Sequence, residues 1–184
     1  MQVNNTPLAG LIEVTLDKFG DERGFFVERF NKAKFADAGL PIDFDQDNHS
    51  RSAPGVLRGL HYQTEPYQGK LVGCLNGSIW DVAVDIRPSS PTYGQWYGTE
   101  LSDNNAKLLW IPPGFAHGFC VLGDKPADVL YKVVGLYNPK TDAGISYNDT
   151  DIGINWPIDS PTLSAKDQNL ISFAQYKQNP VDWK

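Results

Sequence analysis

The segment Leu71-Val72-Gly73-Cys74-Leu75-Asn76-Gly77-Ser78-Ile79-Trp80-Asp81-Val82-Ala83-Val84-Asp85-Ile86 carries the clearest fold signal in this chain. Two runs of strand-forming residues flank Asn76-Gly77, the dipeptide that two-residue hairpin turns favour. From Trp80 to Ile86 every second residue is large and apolar, and the residues between are acidic or small, as expected for a strand with two different faces. The segment therefore predicts two antiparallel strands joined as a hairpin.

The same pattern of short strands and turns continues on both sides of this segment. Seventeen glycines and thirteen prolines are spread along the chain, which favours many turns over long helices. A helix is predicted from Asn31, its N-cap, to Gly39, with Phe35 and Ala36 facing inward, and a second short helix is predicted after Ser164. Regular strands without intervening helices predict an all-β sandwich or barrel. The further predicted strands are Gly10–Leu16, Phe25–Phe30, Tyr93–Leu101, Lys107–Ile111, His117–Leu122 and Val129–Leu136.

Length, charge and cysteine content narrow the class of protein. At 184 residues and 41% hydrophobic, residues 1–184 are expected to form one domain with a sizeable core. The net charge is −6, so no broad positive field attracts nucleic acid or an anionic membrane surface. No apolar run approaches the roughly 20 residues of a membrane-spanning helix. The polar start of the chain and two cysteines without a disulfide framework indicate the cytoplasm.

Polar side chains are concentrated between Gln46 and Lys70, among short segments that look like strands. A segment built only for packing would not carry them, because a buried polar group needs a partner. Arg58 offers a planar fork for phosphate, His61 a base of suitable strength near neutral pH, and Lys70 a compact cation for an oxyanion. This set indicates proton chemistry on a phosphorylated or nucleotide-linked ligand.

The three histidines, His49, His61 and His117, raise the possibility of a metal site. A metal-binding protein of the cupin type would show a His-X-His pair followed by an acidic ligand, and the sequence has no such pair. Phosphate-binding loops, dinucleotide glycine motifs and nucleophile elbows are also absent from the sequence. We therefore expect neither a metal nor another cofactor.

Six motifs in sequence order are, taken together, highly specific, although each is weak alone. They resemble the dTDP-4-dehydrorhamnose 3,5-epimerase family from about Thr6 to Asp167. The resemblance implies a cupin-type β jelly roll of two antiparallel sheets with short peripheral helices, a homodimer, and inversion of two carbons in a dTDP-4-keto-6-deoxyhexose. The motifs are Asp47-Asn48-His49-Ser50, Leu57-Arg58-Gly59-Leu60-His61, Gln68-Gly69-Lys70-Leu71-Val72, Asp81-Val82-Ala83-Val84-Asp85-Ile86-Arg87, Pro113-Gly114-Phe115-Ala116-His117-Gly118-Phe119 and Leu163-Ser164-Ala165-Lys166-Asp167.

Four residues match the family's catalytic groups. His61 is the implied general base for C3 and C5, Asp167 the carboxylate that orients it, Lys70 the partner of the C4 oxyanion, and Tyr131 the acid on the opposite face. Each residue also has an ordinary structural interpretation. His61 could be a hydrogen-bonded core histidine, Asp167 part of a helix capping box with Ser164, Lys70 a surface lysine and Tyr131 a core aromatic. Strict strand alternation also separates Arg58 from His61, unless Gly59 marks a bulge between them.

The remaining matches are implied substrate contacts. The resemblance assigns Arg23 and Arg58 to the diphosphate, and Tyr137, with Phe26 as a second wall, to stacking on thymine. His117 and Phe119 are implied to line the pocket. Asp142 stands where the family usually has a glutamate, and Gly73 stands where a larger basic residue is common. Further implied contacts are Glu28, Gln46, Asp47, Asn48 and Lys166.

Three other functions compete with double epimerisation. The nearest is an enzyme of the same fold that inverts only C3 or only C5, or that isomerises the keto group of another deoxysugar. A jelly roll that binds sugar nucleotides without catalysis is the second, and a metal-dependent cupin oxygenase is the third. The residues do not cleanly separate the first rival from double epimerisation, since each needs the same base and oxyanion partner. Binding alone has no need of an acid on the far face of the substrate, so Tyr131 argues against the second rival.

Overall fold

The computed structural model describes residues 1–183, and within them the chain forms thirteen short strands. In chain order they are β1 (Gln2–Asn5), β2 (Ile12–Thr15), β3 (Lys18–Asp21), β4 (Gly24–Val27), β5 (Gln46–Ser52), β6 (Leu57–Gln63), β7 (Gly69–Asn76), β8 (Ser78–Asp85), β9 (Trp96–Ser102), β10 (Lys107–Ile111), β11 (Phe115–Val121), β12 (Ala127–Val134) and β13 (Asp142–Gly144). The predicted strands are present with shifted ends. Glu28–Phe30, for example, leave the strand to lead into the first helix.

Two antiparallel sheets face one another and enclose the core. The first sheet has the strand order β1-β2-β10-β7-β12-β5, and the second has the order β13-β6-β11-β8-β9. Val72 and Leu109 of the first sheet pack against Ile79, Ala83 and Phe119 of the second. Strands that are distant in sequence lie side by side in both sheets, as in a β jelly roll. The predicted fold class is confirmed.

The hairpin predicted at Asn76-Gly77 is wrong, although the tight turn is present. Gly77 has a φ of +78°, but β7 before it pairs with β10 and β12, whereas β8 after it pairs with β9 and β11. The turn therefore carries the chain from one sheet to the other. Strand β8 is an interior strand of the second sheet, and apolar side chains on its two faces pack into two different core clusters.

The helices cover the outside of the sandwich. Helix α1 (Lys32–Asp37) begins at Asn31, whose side chain accepts hydrogen bonds from two backbone N–H groups, and Gly39 follows its end with a φ of +69°. Phe35 is buried as predicted, but Ala36 is exposed, because so short a helix directs only one such position toward the sheet. The predicted C-terminal helix is a 3-10 turn (Asp167–Asn169) followed by helix α2 (Phe173–Gln178).

A hairpin arm, formed by β3 and β4, pairs with neither large sheet. Its aromatic side chains Phe19, Phe25 and Phe26 are 64%, 52% and 68% exposed. Such exposure of three large apolar side chains on one short element is unusual for a monomer surface. Neither helix of residues 1–183 has the length and apolar character that crossing a membrane requires.

Candidate active site

A cavity of about 480 Å³ opens between the two sheets. Both sheets and the segment around the 3-10 turn contribute to its walls. Eleven of the sixteen site residues predicted from the sequence line it, which brings together the implied catalytic set and part of the implied substrate contacts. These eleven are Asn48, Arg58, His61, Lys70, His117, Phe119, Tyr131, Tyr137, Asp142, Lys166 and Asp167.

A bulge in β6 directs both Arg58 and His61 into this cavity. Arg58 lies opposite Phe119 and His61 lies opposite His117, so two residues of β6 face the single residue Gly118 of β11. Gly59 has a φ of +110°, and a Cβ atom there would lie 2.6 Å from the Gly118 Cα. Only glycine fits this close approach, and the extra residue changes the alternation so that positions three apart share a face. The Arg58 Nε donates to the Ser52 Oγ at 3.0 Å, which fixes the guanidinium at the rim.

Asp167 contacts His61 and closes the local turn at the same time. Its Oδ1 lies 2.5 Å from the His61 Nε2, and its Oδ2 accepts the Ser164 hydroxyl at 2.8 Å. The Asp167 backbone N–H donates back to the Ser164 Oγ at 3.1 Å. One carboxylate oxygen thus contacts His61 and the other is satisfied locally by Ser164. The predicted capping box itself is not formed, because the N-cap of the 3-10 turn is Lys166 and makes no side-chain cap hydrogen bond. The His61 Nδ1 has no hydrogen-bond partner among residues 1–183 and is left to accept a proton.

The surroundings of Asp167 keep its carboxylate ionised. Burial, to 4% exposure, would by itself raise its pKa, but the hydrogen bonds from His61 and Ser164 outweigh burial and lower the pKa overall. An ionised carboxylate on Nε2 fixes the tautomer of His61 and stabilises the imidazolium that forms when Nδ1 takes a proton. The pair is therefore arranged for general base chemistry.

The opposite wall of the cavity carries a cation and a phenol. Lys70 on β7 and Tyr131 on β12 share the inner face of the first sheet, and within residues 1–183 no side chain forms an ion pair with the Lys70 ammonium. Burial lowers the pKa of Lys70 to about 8, although Asp142 and Asp81 act in the opposite direction. Burial raises the pKa of Tyr131, with Arg58 opposing the rise, so the phenol keeps its proton near neutral pH.

A second histidine–carboxylate pair lies beside the first, and its acid was not predicted from the sequence. The His117 Nε2 is 3.0 and 2.9 Å from the two oxygens of Asp81, and both residues are buried. Asp81 sits on the inner face of β8, where the neighbouring positions are apolar. An acid at such a position indicates a buried hydrogen-bond partner. The sequence does not show which residue that is, because His117 lies 36 residues away along the chain.

Tyr137, Asp142 and Lys166 form the mouth of the cavity. The Asp142 Oδ2 accepts the Tyr137 hydroxyl at 3.1 Å and the Lys166 ammonium at 2.6 Å. The aspartate that replaces the family's usual glutamate thus reaches both groups directly. Gln46 does not line the cavity itself: its amide donates to the Asn48 side chain at 2.7 Å and its oxygen accepts from the Tyr137 backbone N–H at 3.3 Å.

Four other residues predicted to contact substrate lie away from the cavity of their own chain. Asp47 alternates with Asn48 and so points to the outer face, where it pairs with Lys132 at 3.0 Å. Arg23 and Phe26 are exposed on the hairpin arm, with Arg23 bound to Asp21 at 2.5 Å. Glu28, just beyond that arm, pairs with Lys34 at 2.8 Å. Within one chain, these four side chains do not join the site, so their assignment to the substrate stays a prediction.

Gly73, the second departure from the family pattern, also lies outside the cavity. It is on the outer face of β7, and a Cβ atom there would lie 2.5 Å from Leu108 and 3.9 Å from the Arg29 guanidinium. Leu108 therefore fills the space that a side chain at position 73 would need. The departure concerns the packing outside the first sheet.

The three histidines do not meet at one point. His61 and His117 are cross-strand neighbours, whereas His49 is on the outside of the first sheet and pairs with Asp128 at 3.1 Å. Among residues 1–183 no three His, Cys, Asp or Glu side chains are grouped so that they could hold a metal ion.

The chain matches a known protein family over most of its length. The family model described as dTDP-4-dehydrorhamnose 3,5-epimerase matches residues 5–175. A dTDP-4-dehydrorhamnose 3,5-epimerase of Shigella flexneri is 53% identical over 94% of this chain and 96% of its own length. A dTDP-4-dehydrorhamnose 3-epimerase of Streptomyces niveus is 37% identical over 95% of this chain and 85% of its own length.

Solved structures agree with the sequence matches. The crystal structure of a dTDP-6-deoxy-D-glucose-3,5-epimerase from Legionella pneumophila, in complex with dTDP-4-keto-L-rhamnose, superposes with a TM-score of 0.89. It is 46% identical and the match covers 93% of this chain and 92% of that one. The resemblance inferred from the six motifs is thereby confirmed. This chain belongs to the dTDP-4-dehydrorhamnose 3,5-epimerase family.

Proposed function

We propose that this protein converts dTDP-4-dehydro-6-deoxy-D-glucose to dTDP-4-dehydro-L-rhamnose by inverting C3 and C5. The observation that carries the proposal is the position of the two proton-transfer groups. His61 projects from the second sheet and Tyr131 from the first, so a sugar ring held between the sheets has a base on one side and an acid on the other. Inversion of a carbon needs this arrangement, because the proton leaves one face and returns to the other.

Each inversion proceeds through an enolate. The His61 Nδ1 takes the proton from C3 or C5, the C–H electron pair forms a double bond to C4, and the C4 oxygen gains a negative charge. The Lys70 ammonium, held without an ion-pair partner in residues 1–183, stabilises that charge. Tyr131 then delivers its proton to the far face of the carbon, and exchange with solvent restores both groups for the second inversion.

The nucleotide part is bound at the rim and mouth. The planar fork of Arg58, fixed by Ser52, suits diphosphate oxygens. Tyr137, held by Asp142, presents an aromatic face for the thymine ring, and Lys166 beside it adds a second cation for the diphosphate. Asn48, His117 and Phe119 complete the contacts to the sugar from the cavity wall.

The functional unit is a homodimer in which each hairpin arm reaches the cavity of the other copy. Arg23, Phe26 and Glu28 match the family's substrate contacts but lie outside the cavity of their own chain. The arm that carries two of them exposes Phe19, Phe25 and Phe26, which a second copy would cover. With the arm exchanged, Arg23 joins Arg58 at the diphosphate and Phe26 faces Tyr137 across the thymine. We place the protein in the cytoplasm, where the buried free thiols of Cys74 and Cys120 stay reduced.

The test is to incubate the protein with dTDP-4-dehydro-6-deoxy-D-glucose in D₂O and follow deuterium and stereochemistry at C3 and C5. Wild-type protein should incorporate one deuterium at each carbon and form the L-rhamno product. Tyr131→Phe should still exchange deuterium with retained configuration, while inverted product forms about 10²- to 10⁴-fold more slowly.

Other outcomes separate the rival functions. Deuterium at C3 alone would establish a mono-epimerase, the activity that the name of the Streptomyces niveus relative states. Binding of dTDP without any exchange would establish a sugar-nucleotide-binding protein. Epimerisation by Tyr131→Phe at the wild-type rate would show that another group is the acid.

A further inference from the structure

Asp81 takes no part in the proton transfers described above. A buried carboxylate that served no function would only destabilise the fold. Its carboxylate is fully buried on the inner face of β8, with Ile79 and Ala83 as its apolar neighbours on that face. Among residues 1–183, the His117 Nε2 is the only side-chain donor within hydrogen-bond distance of it. A buried charge with one partner destabilises a fold relative to a packed apolar side chain, so stability does not explain it.

The pair of His117 and Asp81 repeats the arrangement of His61 and Asp167. In both pairs the carboxylate contacts Nε2, so Nδ1 is the nitrogen left for the cavity. The two histidines are also cross-strand neighbours, so both imidazoles lie on the same wall. One base is sufficient for removing the proton at either carbon, because C3 and C5 flank the same ketone. The second imidazole is therefore free for a different task.

Asp81 also acts on the wall across the cavity. Its negative charge favours the protonated form of Lys70, as does that of Asp142 at the mouth, while Lys166 opposes it and burial opposes it most. The other titratable groups that line the cavity with Lys70 are His61, His117, Tyr131, Tyr137, Asp167 and Arg58. Asp81 is thus the one acid that contacts His117 and also influences Lys70.

We propose that Asp81 is a positioning residue for the oxyanion: it holds His117 with Nδ1 toward the C4 oxygen, across the cavity from Lys70. His117 and Lys70, from opposite sheets, then converge on the atom where the charge develops. This inference rests on the proposed function, since it requires an enolate in the cavity.

The experiment compares Asp81→Asn with a matched variant, Asp85→Asn. Asparagine keeps the shape of the side chain and a hydrogen-bond acceptor for His117 but removes the charge. We expect kcat to fall about ten- to a hundredfold, with KM within about threefold of wild type. The alkaline limb of the kcat–pH profile should move to lower pH, because Lys70 loses its proton more readily without this carboxylate.

Asp85 is an equally buried acid on the same face of the same strand, but it is bound by Arg87, Ser90 and Thr92 outside the cavity. Asp85→Asn should therefore lower the melting temperature and leave the alkaline limb where it is. A wild-type kcat and limb in Asp81→Asn would overturn the proposal, and so would an equal shift of the limb in both variants.

His117→Gln provides a second test in case Asp81→Asn does not fold. It removes the imidazole and keeps the charge of Asp81, so kcat should fall at least tenfold while the alkaline limb stays or moves to higher pH. A shift to lower pH would contradict the role given to that charge. Deuterium exchange by the wild-type protein, measured in parallel, distinguishes failure of the proposed function from failure of the role given to Asp81. If the wild type exchanges no deuterium, the proposed function is refuted. If it exchanges deuterium and the variants behave like the wild type, only the role of Asp81 is refuted.

Discussion

The proposed catalytic residues of the cavity and the hairpin arm differ in how firmly the fold holds them. His61, Lys70 and Tyr131, which we call the floor of the cavity, lie on strands inside the two large sheets and are at least partly buried. The arm is a two-stranded hairpin with its three phenylalanines more than half exposed. The groups proposed to transfer protons are thus in place within one chain, whereas Arg23 and Phe26, which we propose to contact the nucleotide, lie outside the cavity of their own chain.

The difference follows from what each region has to do. A displacement of about 1 Å between donor and acceptor slows a proton transfer about 10²-fold. The side chains that transfer protons therefore need rigid strands and hydrogen-bonded neighbours. Holding a flexible nucleotide-sugar ligand tolerates an element that becomes ordered against a partner. A lone two-stranded hairpin is only marginally stable, which makes the arm dependent on the surface that receives it.

The largest effect on kcat is expected from Lys70→Met, which changes one of the three floor residues. Removing the oxyanion partner should lower kcat about 10²- to 10³-fold. The same change should stabilise the fold, because the pKa of Lys70 falls from 10.5 to about 8 in the folded state. This difference corresponds to about 3 kcal/mol of destabilisation by the charged form.

The pH dependence of this gain has a definite sign. Between pH 8 and 10.5 the unfolded chain binds more protons at this lysine than the folded one, so the stability of the wild type rises with pH in that window. The stability gained by Lys70→Met should therefore be complete below pH 8 and disappear by about pH 10.5, measured by urea unfolding. Lys107→Met is the control, because Lys107 of the same sheet has a partner in Glu13 at 2.8 Å and its loss should destabilise the protein. A stability loss in Lys70→Met as well would contradict the argument.

The hairpin arm is tested by complementation between copies. Arg23→Ala should raise KM about ten- to a hundredfold, because one charge-assisted contact to the diphosphate is lost. Co-expression of Arg23→Ala with His61→Asn, followed by purification through two different tags, yields mixed dimers with one intact floor facing one intact arm. These mixed dimers have one intact site of two and should show about half of the wild-type activity, at substrate concentrations below the KM of Arg23→Ala.

The matched control combines two floor variants. His61→Asn and Lys70→Met should not complement each other, because every floor comes from one chain and both floors of a mixed dimer are then defective. Recovery of activity in this control would mean that the floor, too, is shared between copies. No recovery in the first mixture would place the arm outside the site altogether.

Features set by neighbours in sequence could be predicted, whereas features set by distant residues could not. Alternation and turn residues are properties of neighbours in sequence, so most strands and the cap at Asn31 are predictable. Which sheet a strand joins depends on distant partners, and Asn76-Gly77 is compatible with a hairpin and with the observed crossing between sheets. Asp81 escaped prediction for the same reason, since its partner His117 is far away along the chain. Gly59 is the exception, because a glycine inside a strand is itself a local sign of a bulge.

The smallest effect, and the finest test of the floor, is expected from Ser164→Ala. The Ser164 hydroxyl donates to the Asp167 Oδ2 at 2.8 Å, and its removal takes one stabilising contact from the carboxylate that orients His61. A hydrogen bond of this kind contributes about 0.5–1.5 kcal/mol, so kcat should fall about two- to tenfold.

The pH dependence of Ser164→Ala distinguishes a role in the dyad from a purely structural one. The pKa of Asp167 is lowered in the folded protein despite burial, by hydrogen bonds from His61 and Ser164. The stability that this carboxylate contributes is therefore present above its unfolded pKa and lost as the pH falls through the folded one. Without the Ser164 hydroxyl the folded pKa rises, so acid unfolding should begin at higher pH, and kcat should decline from a higher pH as well. Ser172→Ala, which removes the N-cap of helix α2 and so costs about 1 kcal/mol of stability, should leave kcat and its pH profile unchanged. If both serine variants lower kcat alike, Ser164 acts only by closing its turn, and the orientation of His61 depends on Asp167 alone.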